Sequence, residues 1–213
     1  MAIHVIRSGV FAVNSLIVDI EDKAKKSCFL VDPAACFLSG DEDKILDYLK
    51  NKKLDCKAIV LTHSHFDHIT GIAQIKKAFP AAKVYLHESE AGELLNPPGP
   101  MNKSVLEFFG APQILEVIAK QPQADVLVKD GDEIFGWKVI HTPGHTPGSI
   151  CLYSKSENTL ISGDTLFDYG GYGRTDMYGG DEATIIHSLD RLRKEIPEGT
   201  LVYPGHESFG FKF

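Results

Sequence analysis

Residues 58–71 read AIVLTHSHFDHITG. The run 58–61 is short, apolar and β-branched, which predicts a buried strand. Residues 72–79 carry helical spacing. His63, His65, Asp67 and His68 therefore stand where a strand gives way to a helix. In α/β architectures that edge binds ligands, because its loops are free of core packing.

Three imidazoles and a carboxylate within six residues exceed what a helix start requires. A helix cap calls for one Asp or Ser, whereas imidazole suits zinc, copper, iron and nickel and a carboxylate adds a hard oxygen. His63 and His65, two apart in an extended turn, can grip one ion, and Asp67 and His68 can turn towards a second. Ser64 reads as a spacer.

The composition sets outer limits. At 213 residues the chain is one large domain or two small ones. A hydrophobic content of 43% supports a sizeable core. The net charge of −7 speaks against a nucleic-acid surface. No apolar run approaches a bilayer span and no signal-peptide pattern opens the chain, so the expectation is a cytoplasmic protein away from membranes. Cys28, Cys36, Cys56 and Cys151 are not in C-x-x-C spacing and read as reduced thiols.

Strands are expected over 3–6, 11–20, 28–31, 83–86, 126–128, 133–140, 149–153, 159–162 and 200–203. Helices are expected over 41–53, 104–109, 113–119 and 181–194. The third strand ends in Asp32-Pro33. Residues 90–123 are irregular and hold too few apolar residues for a core of their own, which suggests a lid-like insertion. His4, His87 and His187 stand outside any cluster and read as structural or surface residues.

Three later strand ends carry ligand-type residues: HTPGHTPG at 141–148, ISGD at 161–164 and YPGH at 203–206. Each alone is an ordinary turn. In this order after H-x-H-x-D-H they resemble the metallo-β-lactamase superfamily across nearly the whole chain. GDTLFDYGGYGRTD at 163–176 looks like its glyoxalase II-like branch, and 95–104 weakly echoes an insertion of bacterial members.

The resemblance implies an α/β fold: a four-layer αββα sandwich of two mixed sheets with helices outside, as one domain over 1–213. It implies two divalent transition-metal ions, zinc ahead of iron or manganese. His63, His65 and His145 would hold one ion, Asp67, His68 and His206 the other, and Asp164 would bridge them. Asp32 matches the family's bracing aspartate, and His141 matches no ligand position. Arg174, Tyr172 and Tyr178 are candidates for binding substrate, although Arg174 reads equally as a brace of its own loop through Asp176 or Asp168. Only seven residues follow His206, so no counterpart of the helical domain with which glyoxalase II binds glutathione is expected.

The expected activity is hydrolysis of a small-molecule thioester. Water held between two cations has its pKa lowered to about 7, and the resulting hydroxide attacks the acyl carbon. Asp67 would orient it, and Asp164 would fix the ion separation. Three rivals share the fold: an iron-dependent persulfide dioxygenase on His63, His145 and Asp164, a lactone or β-lactam hydrolase, and a nuclease, which the acidic charge disfavours. A non-enzymatic zinc module would need a closed coordination sphere, which seven ligands for two metals do not give.

Overall fold

A computed structural model describes residues 1–22 and 25–213. Alternation along its strands decides the layering. In β2 (Val13–Ile20), Leu16 and Val18 face one side and Ile17 the other. β3 (Ser27–Val31) divides Phe29 and Val31 from Cys28 and Leu30 in the same way. In β4 (Asp55–Val60) Ile59 is divided from Ala58 and Val60, and an irregularity in the pairing with β3 after Cys56 brings that residue to the Ile59 face. Successive strand residues leave opposite faces, so a sheet apolar on both must be covered twice.

The first sheet runs β1 (Ile3–Ser8), β2, β3, β4, β5 (Lys83–His87), β6 (Val126–Val128). Its first three strands are antiparallel, and pairing is parallel from β3 onward. The second sheet contains β7 (Glu133–Ile134), β8 (Trp137–His141), β9 (Ile150–Ser154), β10 (Thr159–Gly163), β11 (Leu201–Pro204) and β12 (Phe211–Lys212), in the order β12-β11-β10-β9-β8-β7. β10 and β11 are parallel, and its other pairs are antiparallel.

Between the sheets, Phe29, Val31, Ala58 and Val60 meet Trp137, Val139, Ile150 and Leu152. Trp137 is fully buried, and truncating such a side chain to alanine costs about 3–5 kcal/mol. The outer face of the first sheet carries α1 (Lys44–Lys52), α2 (Phe66–Ile69), α3 (Ile72–Ala78), α4 (Pro100–Phe108) and α5 (Leu115–Ile118). The outer face of the second sheet carries α6 (Glu182–Glu195), whose Leu189 and Leu192 pack on Ile140, Cys151 and Leu160. The result is the expected αββα sandwich. Among the described residues no helix is long and apolar enough to cross a membrane.

Two local expectations need correction. Residues 133–140 are not one strand, because β7 and β8 form a hairpin. Phe135 and Gly136 both adopt left-handed backbone, at φ 50° and 82°, which suits a two-residue turn whose twist matches the strands it joins. Gly136 was the available clue. Residues 211–212 pair antiparallel with β11 as a short edge strand that was not expected. The insertion at 90–123 contributes Leu94, Val105, Leu106 and Ile118 to the helix-side core.

One edge of the sandwich gathers what matters. Asp32 follows β3, His63 to His68 follow β4, and His145 lies between β8 and β9. Asp164 follows β10, and His206 follows β11.

Candidate metal centre

The candidate ligands form two groups. Single ligand atoms of His63, His65 and His145 all lie within 4.8 Å of one another, and so do those of Asp67, His68 and His206. Asp164 stands between them. Its Oδ2 is 3.6 Å from His145 Nε2 and 3.5 Å from His206 Nε2, and its Oδ1 is 3.6 Å from His68 Nε2. Asp67 Oδ2 lies 3.4 Å from His206 Nε2. Two glycines permit this crowding, since a Cβ on Gly205 would strike Asp164 and His68, and one on Gly173 would strike His145 and Asp164.

The outward nitrogens of three histidines are already committed. His145 Nδ1 donates to the Arg174 carbonyl at 2.7 Å, and His206 Nδ1 donates to the Phe11 carbonyl at 3.2 Å. His68 Nδ1 donates to Asp32 at 3.0 Å. A carbonyl can only accept, so on His145 and His206 a proton belongs on Nδ1, and on all three rings Nε2 is the nitrogen that faces the cluster. Asp32 also accepts from the Thr62 backbone N–H at 2.8 Å and from its hydroxyl at 2.6 Å. Asp32, His63 and His68 form a third close group, but the Asp32 oxygens are occupied by these donors.

His63 Nε2, His65 Nε2 and Asp164 Oδ1 are buried without a hydrogen-bond partner among the described residues. Each such atom costs about 1–3 kcal/mol. Imidazole and carboxylate lone pairs are the donors that divalent cations take up, so the residues present fit such ions.

The electrostatics are divided in the same place. Burial, reinforced by the neighbouring imidazoles, pushes the pKa of His63 and His65 well below the ordinary value, which keeps their lone pairs free. Burial opposes charge on His68 too, but Asp164, Asp67 and Asp32 outweigh it and raise its pKa to about 10. His206 is raised as well, since Asp67 and Asp164 overcome its burial. Asp67 resists burial because His68 and His206 hold its carboxyl well below the usual range.

Sequence reasoning passed over the support beneath these groups. The buried Glu90 carboxylate accepts from the Ser64 backbone N–H at 2.7 Å, the Ser64 hydroxyl at 2.6 Å and the Gly148 N–H at 2.8 Å. It thus ties the His63–His65 turn to the His145 loop. Asn102 in α4 donates to the Ser64 carbonyl at 2.7 Å. Its own helix start is held by Glu93, which accepts from the Met101 and Asn102 N–H groups. Ser64 is therefore the attachment point of the insertion and more than a spacer. A glutamate in a polar stretch after a strand carries no distinguishing pattern, so only Asn102, within the NKS echo, was within reach.

The substrate candidates separate. Arg174 lines a cavity of about 220 Å³ over the cluster. Its Nε and Nη2 donate to the Asp176 carboxylate at 2.7 and 2.8 Å, and its guanidinium lies 5.0 Å from the Phe108 ring centre. Tyr172 and Tyr178 are not among the cavity's lining residues. Tyr172 packs towards α6, with its hydroxyl donating to Glu182 at 3.4 Å, and Tyr178 is exposed. His87 and His141 stack at 3.9 Å away from the two groups, and His141 Nε2 donates to the Pro147 carbonyl within its own loop.

Comparison with known proteins bears on the family. The chain is 38% identical over 183 residues to "Probable metallo-hydrolase YqgX" of Bacillus subtilis (strain 168), covering 84% of this chain and 79% of that protein. It is 31% identical to a "Hydroxyacylglutathione hydrolase" of Pelagibacter ubique (strain HTCC1062), covering 97% and 71%. Among solved structures, the BLEG-1 B3 metallo-beta-lactamase superposes with a TM-score of 0.83 at 32% identity, covering 99% of this chain and 94% of that one. TTHA1623 in a di-iron-bound form gives 0.77 at 29% identity, covering 96% and 92%. The family model described as "Metallo-beta-lactamase superfamily" matches residues 8–206, a span that holds every residue of both ligand groups. The chain belongs to the metallo-beta-lactamase superfamily.

Proposed function

We propose that this protein is a dinuclear metal-dependent hydrolase of thioesters, close in chemistry to the hydroxyacylglutathione hydrolases. The observation that carries the reading is Asp164, placed within 3.6 Å of His145 on one side and of His68 and His206 on the other. In this reading His63, His65 and His145 would hold one cation, Asp67, His68 and His206 would hold the second, and Asp164 would be shared by both. When bound, the ions supply an acidified water and polarise the acyl carbonyl. Zinc suits this mixed imidazole and carboxylate set, which iron also accepts.

The chain's own part is orientation. Asp67, anionic in a buried position, accepts a hydrogen bond from the attacking water and fixes its lone pair towards the acyl carbon. A thiolate is a stable leaving anion, so no side-chain acid is required of the protein. A thiol nucleophile has no support here, because all four cysteines are buried. Burial pushes Cys151 up to about 11, and Cys28 is raised by its bond to Cys56 together with burial. The whole chain acts as one domain, and residues 90–123 wall the site as its lid.

The test is thiol release from S-lactoylglutathione and simple acyl thioesters by zinc-loaded protein, with a chelator-treated control. Hydrolysis that needs added metal is expected. Two bound ions with no thiol release from any thioester would overturn the reading, and oxygen uptake with a thiol persulfide on iron-loaded protein would favour the oxidative rival.

A further inference from the structure

We infer that the cavity over the metal centre receives a neutral, apolar arm of a small thioester, aromatic or branched, in place of the charged tripeptide arm of glutathione. The inference rests on the thioester reading and narrows its substrate class. The cavity measures about 220 Å³, below the roughly 300–1,000 Å³ of common ligand pockets. It has room for one compact group beside the reacting carbon.

The walls decide which group. Away from the metal-binding side chains the cavity is lined by Phe11, Phe66, Val105, Phe109, Phe167 and Met177. Phe11 lies with its ring centre 5.5 Å from both Phe66 and Phe109, in edge-on and tilted contacts. Phe11 and Phe109 are nonetheless 46% and 44% exposed, so a substantial part of both aromatic side chains remains uncovered at this rim. An apolar arm seated there removes that surface from water and adds edge-to-face contacts.

A charged arm finds nothing comparable. Arg174 is the one Lys or Arg lining the cavity among the described residues. Its fork is filled by Asp176, and the Phe108 ring lies over its guanidinium. Carboxylates seated against this aromatic rim, away from the metal-binding side chains, would lose water and find no free basic side chain, which is costly.

The experiment crosses two acyl groups, acetyl and phenylacetyl, with two thiols, 2-mercaptoethanol and benzyl mercaptan, and adds S-lactoylglutathione. On metal-loaded protein one aromatic arm is expected to raise kcat/KM by roughly tenfold to a hundredfold over its small counterpart. The arm that gains shows whether the acyl or the thiol half lies against the phenylalanines. Phe109→Ala should bring that ratio towards one, and Phe109→Leu should restore part of it. A binding measurement runs beside turnover: benzyl mercaptan against 2-mercaptoethanol, and phenylacetate against acetate, by calorimetry. If no thioester is hydrolysed but an aromatic probe binds at least tenfold tighter, the thioester reading fails and the apolar subsite stands. Equal rates together with equal binding would overturn the inference, and so would S-lactoylglutathione as the best substrate.

Discussion

The loops that carry the seven candidate ligands and the loop that overhangs them are held in opposite ways. Six of the seven ligand side chains are buried, and five sit on turns pinned by Asp32, Glu90 or backbone carbonyls. The overhanging segment 168–180 is largely open, with Tyr169 fully exposed and its Arg174–Asp176 pair in solvent. Where cations are to be gripped, small displacements cost chemistry, and the fold spends its buried hydrogen bonds on preventing them. Where substrate enters, the backbone is tied at Gly173 and Arg174 but most side chains are exposed, and variation in those side chains is cheap. Substitutions in the two regions should therefore differ by orders of magnitude.

Asp164→Asn should show the largest effect. The amide keeps the shape but loses the charge shared by both groups, so metal content per chain and thioester turnover should each fall by more than about 100-fold, beyond the loss typical of supporting residues. Elemental analysis and thiol release measure the two, with circular dichroism confirming the fold. Near-normal metal content would remove the bridge, and with it the contrast.

Glu90→Gln comes next, because it alters a support while sparing the ligands. The amide nitrogen of the variant meets a donor where the carboxylate accepted from two N–H groups and one hydroxyl. Metal affinity should weaken by about 10- to 100-fold, measured by competition with a chromophoric chelator. Glu90→Asp should fall between, since charge remains and reach is lost. If the amide variant binds metal normally, the tie between the two ligand loops is only structural.

The protons sharpen the same contrast. His68 is raised from 6.5 to about 10 because three carboxylates outweigh its burial. Its stabilising contribution in the metal-free protein is therefore fully present below about pH 6.5 and is lost as pH rises through about 10. His63 and His65 work in the other direction: burial lowers them, so the unfolded chain takes up their protons first and the fold weakens as pH falls below about 6.5. At pH 8 a cation on His68 must displace its proton. Zinc added to metal-free protein at that pH should release about one proton, from His68. Calorimetry in buffers of different ionisation enthalpy reads the number, and His68→Asn should lower it. Release of none would mean that His68 is not displaced.

How much was legible follows from the same division. His63, His65, Asp67 and His68 announce themselves because chemistry needs those residue types within one turn, and His145, Asp164 and His206 each close a strand in an order the resemblance could check. The sandwich followed from the resemblance, and burial alternates as a two-faced sheet requires through β2 and β3. Glu90 was not legible, since its role depends on Ser64 and Gly148 being brought to it from 26 and 58 residues away. Phe135 gave no sign of its left-handed turn, because side chains of that kind rarely adopt it. The cavity's aromatic wall was hidden for a similar reason: Phe11, Phe109 and Phe167 come from three distant segments, and each alone reads as ordinary core filler.

Arg174 carries the smallest expected effect. Its guanidinium is engaged by Asp176 and Phe108, and its backbone carbonyl, which no substitution removes, is what orients His145. An exposed ion pair of this kind contributes little. Arg174→Ala should therefore change kcat/KM by less than about fivefold, and equally for thioesters with anionic and neutral thiols. Asp176→Ala makes the comparison sharper, because it frees the fork while leaving the arginine in place. An anionic thioester should then gain on a neutral one, since a bidentate partner is newly available to it. Arg174→Lys in the Asp176→Ala background should lose most of that gain, as a point charge lacks the planar fork. A selective loss on the anionic substrate in Arg174→Ala alone would show that the arginine already leaves Asp176 when substrate arrives, and the overhanging loop would then belong with the fixed region of the site.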